Sequence, residues 1–556
     1  MSARHTPDLL EEHLADLRVR WSRAREGRQP SRTGTPATPL PALIGHWARV
    51  SPSRPALVTG RGTLTYRELD ERVAALAGWL DSRGVRPGDR VAVLLPGGER
   101  FVVAMLAVLR LGAVHVPVNP MFRSAELRHE LRDSGACMVV TDDALAPGVT
   151  RVRADTGVRE VLADEEWPAA LAHPPHPRVA DDLDAPAALN YTGGTTGLPK
   201  GCVHTQRHML YTAAAIAAGR GPKPVVEQMV ALCYLPLFWI AGENLGILAP
   251  LVSGGTSVLL ERWDARAVLR ALVEHRVTTM AGTVENYLEL LALLEGEPGP
   301  ALPHPGLASF TAPLAVSFVR RLTPEVRARW RQAAGAHSVL REASYGMTET
   351  HTSNTNTLGF QQGDADLAPG STYCGLPVPG TEVVVVDPAT GRPRPLGESG
   401  EILLRGPSVM SGYWQAPKAT AGALRGGWLH TGDTGRLDQD GALYYLGRSK
   451  DMIKVKGMSV FPSEVEALLG HHPEVLAAAV VAVEDSESGQ RPYAFVRPRP
   501  GTRPTAASVE EWARGAMAPY KVPRVEVLPE LPLTDTGKVR KTELVRRAQE
   551  RATESA

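Results

Sequence analysis

Four cysteines in 556 residues are too few to stitch a fold together. Cys137, Cys202, Cys233 and Cys374 stand far apart and show no metal-ligand spacing, so free thiols in a reducing cytosol are expected. An excess of one charge is also missing. Lys and Arg number 61, Asp and Glu 60, for a formal net charge of +1. No field for a polyanion follows, which argues against nucleic acid as the main partner. Long apolar runs are absent too. The stretch 101–118 is broken by Arg110 and His115, so no transmembrane segment and a cytoplasmic location are expected. What remains is an ordinary globular composition, 43% apolar and 22% charged, in a chain long enough for two or more domains.

One stretch organises the rest: Tyr191-Thr-Gly-Gly-Thr-Thr-Gly-Leu-Pro-Lys200-Gly201. Gly193, Gly194 and Gly197 permit backbone angles that let N–H groups converge on an anion. Thr192, Thr195 and Thr196 add hydroxyls, and Lys200 adds a positive charge. Such a loop suits a polyphosphate; taken alone, it leaves a flexible glycine turn equally open. It is not a P-loop, because Gly201 follows the lysine where Ser or Thr is needed.

Around it the chain reads as α/β. Residues 1–38 are an extension in which Leu10, Leu14, Leu17 and Trp21 share one helical face, and a helix docked on its own protein is expected. Pro30–Pro41 reads as a linker. Thr65 and Glu68 form a capping box that opens a helix. Val91–Leu95, Ala113–Val118, Ala231–Leu235, Val258–Leu260 and Thr278–Ala281 are short apolar strands. With helices between them, they indicate mostly parallel, helix-covered sheets. From Gly380 the apolar period becomes two, as in Glu382–Val386 and Glu401–Arg405, which marks a β-rich subdomain. A helix over Val460–Leu469, strands Ala477–Val483 and Tyr493–Arg497, and a helix over Ser508–Met517 make a small α+β domain at the end.

Three further motifs carry chemistry. In Ser344-Tyr345-Gly346-Met347-Thr348-Glu349 an aromatic ring beside a glycine can stack on a purine, while a hydroxyl and a carboxylate reach phosphates and their Mg²⁺. In Thr431-Gly432-Asp433 the carboxylate can accept from both ribose hydroxyls. Pro532-Leu-Thr-Asp-Thr-Gly537-Lys538 puts a lysine on a tight turn.

These motifs, in this order from about Thr65 to Leu544, resemble the adenylate-forming superfamily of acyl-CoA synthetases, non-ribosomal peptide adenylation domains and luciferases. The resemblance implies a large domain over 39–449, a small mobile domain over 450–556 and a hinge at Lys450. It implies an enzyme using ATP and Mg²⁺, with CoA as co-substrate. Lys538, Thr196, Glu349 and Lys200 become the catalytic set, with Glu349 and Thr196 holding the metal. Thr192, Gly193, Gly194, Thr195, Gly197, Thr311, Ala312, Tyr345, Gly346, Met347, Thr348, Asp433 and Arg448 bind the nucleotide. Lys454, Lys456, Gly457, Met458 and Ser459 serve CoA after the small domain swings. The acyl pocket falls to Trp239, Ile240, Gly242, Val284, Phe310 and His351.

The implied reaction joins a carboxylic acid, a small-molecule substrate of any chain length, to ATP as an acyl-adenylate and passes the acyl group to CoA. A carrier-protein pantetheine is the other acceptor left open, and a monomer or homodimer is expected. Three departures from the family pattern bear on the acid. Trp239 stands where a histidine is usual, as a gate or a core residue. Phe310 and Thr311 replace glycines and should narrow the pocket toward a short or flat acyl group. The run His351–Asn356 is polar, serving either a polar substrate group or a hydrogen-bonded loop. These departures leave room for an alternative in which nitrite is activated for nitrogen–nitrogen bond formation.

Overall fold

The computed structural model describes residues 6–192, 199–220, 229–296, 304–317, 320–367, 372–455, 458–485, 488–534 and 537–554. Two seven-stranded sheets carry the first half of the chain. In one, Pro186–Tyr191, Val114–Pro117, Arg90–Val93, Met138–Val140 and Glu160–Leu162 run parallel. In the other, Val230–Cys233, Thr256–Leu259, Thr279–Thr283 and Ala312–Val316 run parallel in the same way. Strands such as Thr256–Leu259 are buried at every position, as expected of sheets covered on both faces. The capping box forms: Thr65 N donates to Glu68 Oε2 at 2.8 Å, opening helix Tyr66–Ser82.

The glycine loop is the connection of a hairpin at the border of the first sheet. Pro186–Tyr191 enters it and Gly201–Thr205 returns antiparallel, with Tyr191 opposite Gly201. A Cβ on Gly201 would meet the Tyr191 ring at 3.2 Å, so the two strands pack closely at this pair.

A third, antiparallel sheet takes strands Thr355–Asn356, Thr372–Pro377, Glu382–Val386, Gly400–Arg405, Trp428–Leu437 and Leu443–Arg448. The last body pairs Val475–Asp485 with Gly489–Pro498 in a long hairpin, joined by Arg524–Val527, Ile453–Val455 and Met458–Val460. The helix expected from Val460 instead starts at Pro462. The three residues Met458–Val460 are claimed by pairing with Ile453–Val455, and proline suits a first helical position. The expected linker is shorter as well. Helix Leu40–Val50 begins inside it, where Gln206 Oε1 accepts from Leu40 N at 2.9 Å.

The extension forms helix Thr6–Arg25 and docks on the antiparallel sheet. Leu14, Leu17 and Trp21 enter the core formed with Leu376, Leu437 and Leu443. The Trp21 indole N–H donates to Gly441 O at 2.9 Å. Gly441 is held at φ +75, and a Cβ there would lie 2.6 Å from the indole nitrogen. Beyond the helix, Gln29 Nε2 donates to Asn356 O and Leu358 O, each at 2.9 Å. No described helix is long and apolar enough to cross a membrane.

Leu17 is fully buried, whereas Val19 on the outer face is 58% exposed. Leu17→Ala should therefore cost about 2–5 kcal/mol in denaturant unfolding, while Val19→Ala should stay within about 0.5 kcal/mol.

Candidate nucleotide and acid site

The root of the glycine loop is closed by Thr192 N donating to Lys200 O at 2.9 Å. Gly193, Gly194, Thr195, Thr196 and Gly197 lie outside the described residues. Lys200 sits with Nζ 5.5 Å from the centre of the Tyr413 ring. The same phenol donates from Oη to Glu349 Oε1 at 2.8 Å. Tyr413 thus joins the loop lysine to the carboxylate expected to hold metal. It is placed by the short strand Gly412–Tyr413, paired with Cys202 and Val203. Tyr413 has no sequence signal of its own: a lone tyrosine belongs to no motif, and only strand pairing brings it here. Met410 N, at 2.8 Å from Glu349 O, fixes the backbone of the same residue.

A second group lies where the nucleoside is expected. Tyr345 is buried, and its Oη donates to Asp433 Oδ2 at 2.5 Å. Arg448 Nε stands 3.0 Å from Asp433 Oδ1, with the two residues directly opposite on paired strands. Burial raises the Asp433 carboxyl, and the Arg448 charge opposes that rise. Gly346 and Thr311 are exposed, and Ala312 begins its strand. The adenine-motif backbone is held from behind: Tyr345 N donates to Thr355 Oγ1 at 2.9 Å.

Lys538 reaches this site from the C-terminal body. Its Nζ lies 5.7 Å from the centre of the Trp239 ring. The turn that presents it is tight, with Gly537 at φ +78 and Thr534 N donating to Lys538 O at 2.6 Å. The side chain keeps surface to solvent yet is crowded by protein. That desolvation lowers its pKa first, the Arg448 charge lowers it further, and Asp433 opposes both.

The six residues expected to line the acyl pocket separate. Trp239 is half-buried and faces Lys538. Ile240 is 6% exposed. Gly242 is pressed on its own chain, where a Cβ would lie 2.1 Å from Pro236 O. Phe310 and Val284 have no accessible surface and belong to the hydrophobic core with Tyr287 and Trp330. The Phe310 ring meets Trp330 edge-on at 5.9 Å. Phe310 fills this core site and presents no ring surface of its own, so its bulk acts on the pocket only through the packed wall it belongs to. His351 is likewise fully buried, in a polar cluster. The run after it is a hydrogen-bonded loop: Thr350 bonds Asn354, Asn354 Nδ2 donates to Ser408 Oγ at 3.3 Å, and Thr357 Oγ1 donates to Glu342 O at 2.8 Å.

The sequence profile of the AMP-binding enzymes matches residues 44–414, and that of the AMP-binding enzyme C-terminal domain matches 464–538. The chain belongs to the AMP-binding enzyme family. It is 35% identical over 524 residues to a feruloyl-CoA synthase of an Amycolatopsis species, across 91% of this chain and 99% of that one. Among solved structures it is similar to ATP-bound MatB from Rhodopseudomonas palustris, with 28% identity, TM-score 0.80, and 92% and 99% of the two chains covered. An anthranilate CoA ligase in complex with anthranoyl-AMP gives 25% identity, TM-score 0.80, and coverage of 93% and 99%.

The remaining expected residues sit at the join between the antiparallel sheet and the C-terminal body. Lys450 is exposed on the short helical turn Ser449–Asp451, which separates strand Leu443–Arg448 from strand Ile453–Val455. Lys454 and Met458 are exposed on a two-stranded hairpin, with Ser459 opposite Lys454. Lys456 and Gly457 fall outside the described residues.

The Trp239 ring face stabilises the Lys538 ammonium, a contact of about 0.5–1 kcal/mol at a partly exposed site. Trp239→Leu should therefore move the basic limb of the adenylation pH–rate profile down by about half a pH unit. Trp239→Phe should move it less. An unmoved limb in the leucine variant contradicts the contact.

Proposed function

We propose that this AMP-forming acid–CoA ligase activates an aromatic or similarly flat carboxylic acid with ATP and transfers the acyl group to CoA. The observation that carries the proposal is the convergence of Lys538 with Trp239, Arg448 and Asp433. The Lys538 ammonium feels the charges of Arg448 and Asp433, the pair expected at the ribose, which supports the first half-reaction. The flat acid is supported by the indole wall at Trp239. It is supported also by the likeness to enzymes named for ferulate and anthranilate.

A carboxylate is a poor acyl donor, because oxide would have to leave. Attack of its oxygen on the α-phosphorus of ATP forms the acyl-adenylate and releases pyrophosphate. The carboxylate and the α-phosphate oxygens both carry negative charge, and the Lys538 ammonium would neutralise it and align the two. Tyr345 packs on the adenine, Asp433 accepts from the ribose hydroxyls, and Arg448 orients Asp433. Thr348 bonds the α-phosphate, and the glycine–threonine loop with Lys200 holds the departing pyrophosphate. Glu349 and Thr196 are hard oxygen donors that suit Mg²⁺, which when bound offsets charge on the phosphates. Among the described residues no cluster of three or more His, Cys, Asp or Glu forms a metal cage.

For the second half-reaction the C-terminal body, residues 450–556, rotates about Lys450. Lys538 then withdraws, and the hairpin bearing Lys454, Lys456, Gly457, Met458 and Ser459 admits the CoA thiol. Its sulfur attacks the acyl carbonyl, a thioester forms and AMP leaves. A carrier-protein pantetheine presents the same thiol and is the alternative acceptor. A second reading keeps the adenylation chemistry with a smaller oxyanion. Val284, Phe310 and His351 expose no surface, so nitrite belongs among the acids tried.

ATP–pyrophosphate exchange should be measured without CoA over ferulate, anthranilate, benzoate, malonate, palmitate and nitrite. Exchange with an aromatic acid, followed by AMP release when CoA is added, is the expected outcome. Exchange with nitrite alone would overturn the ligase. Exchange with palmitate alone would overturn the flat acid.

A further inference from the structure

Two opposite charges stand near each other at the root of the glycine loop without pairing. Lys200 is exposed where the loop rejoins its sheet, and Glu349 lies on the short helical turn Thr348–Thr350 behind the adenine motif. Both act on the buried Cys202 thiol. Burial raises its pKa, the Glu349 charge raises it further, and the Lys200 charge opposes both. An ammonium and a carboxylate so placed attract each other, yet no ion pair joins them among the described residues. Each meets Tyr413 instead.

The two contacts use different parts of that side chain. The Lys200 Nζ faces the ring, 5.5 Å from its centre. The phenol Oη donates to Glu349 Oε1 at 2.8 Å. The second carboxylate oxygen, Oε2, makes no hydrogen bond to a described residue. A neutral hydroxyl holds a carboxylate without cancelling its charge, and a ring face holds a cation in the same way. A direct ion pair would do the opposite. It would occupy the ammonium needed at the phosphates and the oxygen needed at the metal.

The backbone around Tyr413 is built to fix it between the two. Tyr413 stands opposite Cys202 on the strand that leaves the glycine loop. Ser411 N donates to Val203 O at 3.0 Å and Trp414 N to Gly201 O at 2.8 Å, so the pairing brackets the tyrosine on both sides. Tyr413 N donates to Thr420 Oγ1 at 2.9 Å, and the Trp414 indole N–H donates to Asp133 O at 3.1 Å. Three residues earlier, Met410 N donates to Glu349 O at 2.8 Å. One short segment thus ties the loop's exit strand to the main chain of Glu349, with the phenol between them. A tyrosine that merely filled an edge strand would need neither charged partner. Here both partners are residues to which the proposed adenylation gives a task.

We infer that Tyr413 is a positioning residue that keeps Lys200 and Glu349 from neutralising each other: its ring seats the ammonium for the phosphates, and its hydroxyl holds one carboxylate oxygen so that the other faces the metal. Carboxylates that ligate metals are commonly held in this way by a hydrogen bond from behind. The inference rests on the phosphate and metal roles proposed above for Lys200 and Glu349.

The test separates hydroxyl from ring. Dissociation constants for ATP are measured by calorimetry with Mg²⁺ and with EDTA, a readout that needs neither an acid substrate nor turnover. Tyr413→Phe removes the hydroxyl alone. It should weaken ATP binding about 10–100-fold with Mg²⁺, the usual scale for a lost partner behind a metal ligand. In EDTA its binding should stay within about two-fold, because the ring still seats Lys200. Tyr413→Leu removes the ring as well and releases the lysine to the carboxylate. Binding in EDTA should then weaken about five-fold, the upper range of an exposed ion pair. Adding Glu349→Gln to Tyr413→Leu removes the competing charge, and binding in EDTA should return to within about two-fold of Glu349→Gln alone. In the Glu349→Gln background Tyr413→Phe should cost nothing further with Mg²⁺, because the bond it breaks is already gone.

A general loosening of the fold would weaken both conditions alike and would not be restored by a second substitution. Unchanged binding of Tyr413→Phe with Mg²⁺, equal weakening in EDTA, or a Tyr413→Leu loss that Glu349→Gln leaves in place would each overturn the inference. If the wild-type protein binds ATP in neither condition, the adenylation reading itself fails and the role of Tyr413 falls with it. If the wild type binds and the variants match it, the role of Tyr413 alone fails.

Discussion

An ammonium held against an indole across a cleft is the contact on which the rest depends. Lys538 belongs to a small body built on a long hairpin, and Trp239 follows the end of a strand in a parallel sheet. Neither half places a cation beside Asp433 and Arg448 alone. Desolvation and the nearby guanidinium lower the lysine pKa, so the site holds its charge at a cost. The ring face and Asp433 offset part of that cost.

Most of the architecture could be read from the sequence, and the reasons are visible in particular residues. The apolar strands, the Thr65–Glu68 capping box and the stripe Leu14–Leu17–Trp21 are local signals, and local signals survive tertiary context when burial agrees with them. The residues expected around the nucleoside were grouped from their motifs alone. Tyr345, Asp433 and Arg448 do come together. Side-chain direction was not legible. Phe310 occupies the position of a family glycine, and sequence alone assigned its bulk to the pocket; the fold turns it toward Trp330. Tyr413 was invisible for a related reason: it meets Glu349, a partner brought from far along the chain.

The extension and the turn behind Gly346 both pack beside the adenine motif. The adenine motif is an irregular segment with little pairing of its own. It is braced by Thr355 Oγ1, by the turn at Thr352 and Ser353 behind Gly346, and at one remove by Gln29 on the strand that follows. Preorganising donors before the substrate arrives spares reorganisation in the transition state. Helix Thr6–Arg25 lies outside the region matched by the family, yet it is anchored in the same core as Tyr345.

The measurement that bears most directly on this assembly separates the two half-reactions in Lys538→Ala. Formation of acyl-adenylate from acid and ATP is compared with conversion of supplied acyl-adenylate and CoA to thioester. Loss of one such transition-state donor costs roughly 10²–10³ in rate. The first half-reaction should fall by at least that much, and the second should run near the wild-type rate. Equal losses in both, or an adenylation rate left intact, would contradict the placement of Lys538 at the centre of the first step.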